Sequence, residues 1–192
     1  MNLLIIYAHP NPKSFTAAVK ENLLNGINKS HSLEFIDLYS EKFDPILIIN
    51  ENKRRRDLIF DPEMEKYRNA IQKAEHIIFI YPVWWGGFPS ILKGFIEKVF
   101  VSGFAYSFKE NKETNIFPKG LMKGKQVSFF CTMDSPWLVS ILDPGWFSMK
   151  YAIFNYCGFS KIKRYCLSGL KRKTNLQREA WLKKVFRIAE KF

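Results

Sequence analysis

Five short strand-like runs, the first and third apolar almost throughout, are spaced along the chain with helical patterns between them, and this alternation constrains the fold more than any other feature. The runs are Leu3–Tyr7, Leu33–Leu38, His76–Tyr81, Gln126–Thr132 and Ile162–Leu167. A strand with one wet face alternates apolar and polar side chains, whereas a continuously apolar run fits a strand covered on both faces, as in a parallel sheet. Between the runs the spacing is helical. Ser14 offers an N-cap to residues 15–28, where Phe15, Ala18, Val19, Leu23 and Ile27 share a face. Asp61-Pro62-Glu63 reads as a cap followed by proline at the first helical position, opening a helix to about Lys73. A helix from Pro89 to Val101 aligns Leu92, Phe95, Ile96 and Val99, and further helices are expected around 146–157 and 175–191. Strands alternating with helices predict an α/β domain on a central parallel sheet. At 192 residues the chain reads as a single domain, 1–192, with an irregular excursion at about 40–60 that carries Pro45 and Lys53-Arg54-Arg55-Arg56.

Two doubly wound strand orders compete. The dinucleotide-binding order calls for a G-x-G-x-x-G turn after the first strand. Here that place holds His9-Pro10-Asn11-Pro12-Lys13-Ser14, without glycine, and no P-loop occurs. The order 2-1-3-4-5 needs no such fingerprint and places its ligand outside the carboxyl ends of strands 1 and 3. The fold argument therefore selects two loops, residues 9–16 and 81–88, before any motif is consulted.

The first loop brings the hydroxyls of Ser14 and Thr16 to a helix N-terminus, whose unpaired N–H groups and partial positive charge suit a phosphate; His9 and Lys13 add donors. Its plain alternative is an ordinary serine cap. The second loop, Tyr81-Pro82-Val83-Trp84-Trp85-Gly86-Gly87-Phe88-Pro89, sets two indoles beside two glycines. Flat faces next to accessible backbone can stack on a planar heterocycle while N–H groups reach its polar edge; the alternative is a hydrophobic corner. The fourth strand adds Thr132-Met133-Asp134-Ser135-Pro136-Trp137 at the same sheet edge. A ring system with a phosphate tail, such as a flavin, fits the three loops together.

Composition narrows the remaining classes. The net charge of +12 and pI near 9.6 invite a nucleic-acid reading, but no zinc-knuckle, RNP-type or basic-zipper pattern accompanies the charge. A solvated basic face, or attraction of an anionic ligand, explains it as well. Cys131, Cys157 and Cys166 show no C-x-x-C spacing and read as reduced thiols. The first apolar run is too short for a secretory signal, and the stretch Ile77–Leu92 is broken by Pro82, Gly86, Gly87 and Pro89. The expectation is a cytoplasmic protein without membrane insertion.

The segment Tyr81–Phe100 (YPVWWGGFPSILKGFIEKVF), followed by Gly103-Phe104-Ala105-Tyr106, resembles the flavodoxin-like NAD(P)H:quinone oxidoreductase (DT-diaphorase-like) family. Tyr7-Ala8-His9-Pro10 with Ser14-Phe15 matches that family's first loop, and Cys157-Gly158-Phe159 resembles its block before the last strand. The resemblance covers nearly the whole chain. It implies a flavodoxin-like three-layer sandwich and a bound flavin, FAD by a small margin over FMN on account of the 40–60 excursion. His9, Ser14, Phe15 and Thr16 would hold its phosphates. Pro82, Val83, Trp84, Trp85 and Gly86 would flank the isoalloxazine, with Thr132 and Met133 at another edge. It further implies NAD(P)H as donor, a quinone or similar planar acceptor, ping-pong turnover, and a homodimer with the site at its interface. Some relatives serve instead as ancillary regulatory subunits of potassium-efflux transporters, a rival role. One departure stands out. Many members follow the fourth strand with a glycine pair, then a tyrosine and a histidine; here no histidine occurs after His76, so that charge-stabilising pair has no counterpart.

Overall fold

The runs at Leu3–Tyr7, His76–Tyr81 and Gln126–Thr132 are the interior of a sheet. In the computed structural model, which describes residues 1–108 and 118–192, they become β1 (Asn2–Tyr7), β3 (His76–Pro82) and β6 (Gln126–Thr132). The flanking β2 (Ser32–Asp37) and β7 (Lys161–Leu167) form the edges and are only partly buried. All five pair in parallel, in the order β2-β1-β3-β6-β7, which is the 2-1-3-4-5 order expected. A small antiparallel pair, β4 (Tyr106–Ser107) with β5 (Lys119–Gly120), stands apart.

Side chains alternate across the pleat, so each central strand feeds two cores. Leu3, Ile5, Ile78, Ile80 and Phe130 face α1 (Phe15–Gly26) and α6 (Asn175–Ala189). Leu4, Ile6, Ile77, Phe79 and Phe129 face α2 (Glu65–Lys73) and α3 (Ser90–Val99). The three layers follow. Gly26 lets α1 and α6 close on each other, because a Cβ there would lie 2.5 Å from the Phe186 carbonyl. The chain is rich in aromatic residues, with 18 Phe, 8 Tyr and 5 Trp, and the second core takes many of them: the Phe154 ring meets Phe79, Phe100, Phe129 and Phe159 at centroid distances of 5.0–5.5 Å. Contacts in that range suit edge-to-face packing.

The helix expected at 146–157 begins earlier, because Asp143 caps it by accepting from the Gly145 N–H and Pro144 takes the first helical position. It runs as α5 (Pro144–Phe147) into a π-helical stretch, Ser148–Asn155. Residues five apart would sit about 140° apart on an α-helix. The wider i→i+5 winding brings them to one side, and Met149 and Phe154 are both buried there. Before it, α4 (Trp137–Ile141) is a single exposed turn with no buried residue. The excursion is irregular up to a 3-10 segment, Arg55–Phe60. Lys98 straps it to α3 by donating to the Asp44 carbonyl at 2.9 Å, while Pro45 lies against Gly94, where there is no room for a Cβ.

Candidate functional site

The strand order reverses between β1 and β3, and a cleft of about 510 Å³ opens at their carboxyl ends, within the size range of small-molecule sites. His9, Ser14, Phe15, Thr16, Pro82, Val83, Trp84, Trp85, Thr132 and Met133 all line it, joined by Asp134, Ser135 and Leu170. Hydrogen bonds tie the loops to one another. Thr16 and Thr132 share a buried hydroxyl pair at 2.8 Å, Val83 N–H donates to the Thr132 carbonyl at 2.8 Å, and Leu170 N–H donates to that of Met133 at 3.0 Å.

One end of the cleft is polar. The Asn11 side chain accepts from Lys13 N–H, its carbonyl from Ser14 N–H, and the loop is thereby set before the helix starts. Ser14 Oγ caps α1 by accepting from Ala17 N–H at 3.1 Å. The N–H groups of Phe15 and Thr16 remain without a partner among the described residues, as the opening turn of a helix leaves them. His9 Nδ1 accepts from Asn11 N–H at 3.0 Å. The neutral ring therefore carries its proton on Nε2, a donor for an anion, and burial holds the imidazole below its ordinary pKa. Lys13 does not line the cleft.

The other end is aromatic. Trp84 and Gly87 exchange N–H···O=C bonds of 2.9 Å in both directions, closing a two-residue turn whose central residues, Trp85 and Gly86, have φ of 50° and 66°. Both left-handed values mark a type I′ turn, where Asn-Gly is the usual pair. A tryptophan in that conformation costs roughly 1–2 kcal/mol, yet the Trp85 side chain is fully exposed and makes no packing that offsets it. Strain of this kind concentrates at functional sites. Trp84 is half-exposed and meets the His9 ring edge-on at 5.7 Å, joining the polar and aromatic ends.

Gly86 differs from expectation. Its backbone does not line the cleft: its carbonyl accepts from Gly145 N–H at 3.0 Å, and a Cβ there would face Pro144. The glycine serves the turn's positive φ and the docking of α5. That docking rests on a buried pair, since Asp143 binds the Arg164 guanidinium and also accepts from Gly145 N–H at 3.0 Å. Asp134 reads as structural, its carboxylate taken by Lys171 Nζ at 3.0 Å and approached by Lys171 N–H. Ser135 and Leu170 carried no signal in the sequence beyond their place after the fourth and fifth strands, which is where such a fold puts ligand-facing loops.

These features fit a flavin: free N–H donors and a neutral imidazole suit its phosphate end, and exposed indoles suit its planar end. Comparison with known proteins points the same way. A family of flavodoxin-like fold matches residues 1–188. A Haemophilus influenzae protein named "Uncharacterized NAD(P)H oxidoreductase" is 35% identical over 173 residues, 85% of this chain and 81% of that one. NAD(P)H dehydrogenase (quinone) 1 of Cavia porcellus is 33% identical over 129 residues, 55% of this chain; the match spans 45% of the guinea-pig protein, under half its length. The crystal structure of Smu.1420 from Streptococcus mutans superposes with a TM-score of 0.94 at 38% identity, covering the whole of both chains.

Proposed function

The chain belongs to the flavodoxin-like NAD(P)H oxidoreductase family, and from that premise we propose a flavin-dependent enzyme that passes a hydride from NAD(P)H to a quinone or similar planar acceptor. The observation that carries this reading is the cleft at the β1–β3 crossover, with unpaired helix donors at one end and a strained, exposed Trp85 at the other. A bound flavin supplies the hydride chemistry; the protein supplies position and electrostatics. Phe15 N–H, Thr16 N–H and His9 Nε2 neutralise and orient the phosphate end. Pro82, Val83, Thr132 and Met133 shape the floor, and Trp84 and Trp85 shield one side from water. Nicotinamide and acceptor would use the same open face in turn, which predicts ping-pong kinetics.

FAD is the proposed form, on the resemblance of the 40–60 excursion to FAD-binding relatives, with FMN as the alternative outcome. The visible absorption spectrum of the purified protein, followed by chromatography of the released flavin, tests both points. A preparation that stays colourless when offered either nucleotide would refute the proposal, and intersecting initial-rate lines would refute the shared face. A homodimer completes the reading: Trp85, Trp137, Leu138, Leu142 and Phe147 are exposed apolar side chains, which a second copy of the chain would cover. Sedimentation as a monomer at assay concentrations would remove this part alone. Among the described residues no helix is long and apolar enough to cross a membrane.

A further inference from the structure

Cys131 and Cys166 lie outside the cleft and have no part in the chemistry above. They are register partners on the neighbouring strands β6 and β7. Their side chains therefore leave the sheet on one face, and strand spacing sets the Cα atoms roughly 4.8 Å apart, inside the span that a disulfide bridges. One guanidinium touches both sulfurs. Arg164 Nε is 3.4 Å from Cys131 Sγ and Nη2 is 3.7 Å from Cys166 Sγ. These two nitrogens form one edge of the arginine fork, the edge that elsewhere grips two carboxylate oxygens. Here it is presented to two thiols, with the side chain almost wholly buried and its remaining donors fixed by Asp143 and the Ser140 carbonyl.

We propose that Cys131 and Cys166 form a reversible dithiol, closed to a disulfide by a small peroxide such as hydrogen peroxide. The Cys131 thiolate attacks one peroxide oxygen; the O–O bond breaks, and the departing hydroxide takes a proton and leaves as water. The sulfenic acid on Cys131 is then attacked by the Cys166 sulfur. An S–S bond forms, the S–O bond breaks, and the second hydroxide leaves as water with the Cys166 proton. The two sulfurs lose two electrons, and the peroxide is reduced to two waters.

Three features assign these roles. Burial pushes the Cys131 thiol up, but the hydrogen bond from Cys166 and the charge of Arg164 outweigh it and hold the group below the ordinary thiol value; donation to Cys131, and then burial, push Cys166 up. Cys166 is only half-buried, so the oxidant reaches the pair from its side. β7 is an edge strand, paired on one side only and so able to shift as the bridge closes. A bridge closed in that way is strained and easily reduced.

Cys157 is the internal control, since burial pushes it up to about 12. After peroxide treatment of the folded protein, alkylation and digestion, the expected product is a linked Cys131–Cys166 peptide pair, lighter by two hydrogens and reversed by dithiothreitol, with Cys157 still alkylatable. In C166S the sulfenic acid on Cys131 has no resolving thiol and is trapped by dimedone. R164K keeps the charge but loses the fork; it is expected to slow bridging about tenfold, the effect of one pKa unit on the thiolate fraction. Oxidation of Cys157 at an equal rate, a bridge formed only after unfolding, or C166S without a dimedone adduct on Cys131 would each overturn the proposal.

Discussion

Replacing Asp143 by alanine removes the group that fastens α5 to the sheet, and the structure gives the size of the effect. The Asp143–Arg164 pair is buried on both sides, with side-chain exposures of 2% and 9%. Removing one member of such a pair strands the other charge and costs about 3–5 kcal/mol. In a domain of this length each kcal/mol shifts the melting temperature by about 2–4 °C, so a fall of about 6–20 °C is expected. D143N keeps an acceptor for Gly145 N–H and a neutral partner for Arg164, and its loss is about 1.5–3 kcal/mol, the worth of a hydrogen bond to a charged group. The consequence for the site is separable from this. Gly145 N–H is shared between Asp143 Oδ1 and the Gly86 carbonyl, both at 3.0 Å, so the clasp bears directly on the strained Trp84–Gly87 turn. Hydrogen exchange under native conditions reads that turn through its two cross-turn amides, Trp84 and Gly87. In D143A, measured well below its melting point, their protection should fall while that of the β1 amides holds. If melting drops as expected but exchange at 84–87 keeps pace with β1, the clasp stabilises the fold without holding the turn, and the reasoning fails.

Three further outcomes are expected. His76 is buried against Ser128, and burial, reinforced by the nearby Lys163 charge, depresses its pKa to about 4; the unfolded chain takes up a proton from pH 6.5 downwards while the folded chain does not, so stability falls with pH across that window by about 3 kcal/mol, and H76Q should flatten the denaturation profile between pH 7 and 4.5, parallel profiles being the contrary result. W85G relieves the left-handed strain and should raise stability by about 1 kcal/mol in denaturant titrations while raising the KM for the acceptor; destabilisation would show that the indole is packed after all. G94A drives a Cβ into the Pro45 backbone and should cost about 1–3 kcal/mol, with faster proteolysis of the excursion; an unchanged digestion pattern would mean that the strap is not seated on α3.

Legibility in the sequence tracked how local the determining interactions are. Apolar runs announced the central strands of the main sheet, the edge strands were read despite Glu34, Asp37, Lys163 and Arg164 within them, and the missing glycine fingerprint chose between two strand orders, because these signals lie within a few consecutive residues. Ser14 marked the start of α1 for the same reason: its cap reaches only to Ala17. The β4–β5 pair was not legible, since two-residue strands leave no periodicity. Arg164 and Asp143 were not legible either; 21 residues separate them, and nothing in KIKRYCL distinguishes the arginine that points inward. The turn geometry at Gly86 was not legible, because sequence alone does not tell a glycine needed for positive φ from one needed for space beside a ligand.

The two ends of the cleft are held by different physics, and this bears on how the site works. The polar end is preorganised by short-range hydrogen bonds: Asn11 to Lys13, Asn11 to Ser14, Ser14 to Ala17. Its donors stand ready, and an anion bound there would replace water without rearranging the chain. The aromatic end is held against its own backbone preference, by Gly145 N–H on the Gly86 carbonyl and behind it by Asp143 and Arg164. That chain of contacts ends at the two sulfurs of β6 and β7. A change in the bonding of those sulfurs alters what Arg164 must satisfy, and the next group along is the carboxylate that fixes the turn. The Phe15 and Thr16 amides at the polar end share none of these contacts, whereas the His9 ring meets Trp84 edge-on, so oxidation of the thiol pair should move the Trp85 turn and the His9 ring with it and leave the two helix amides where they are.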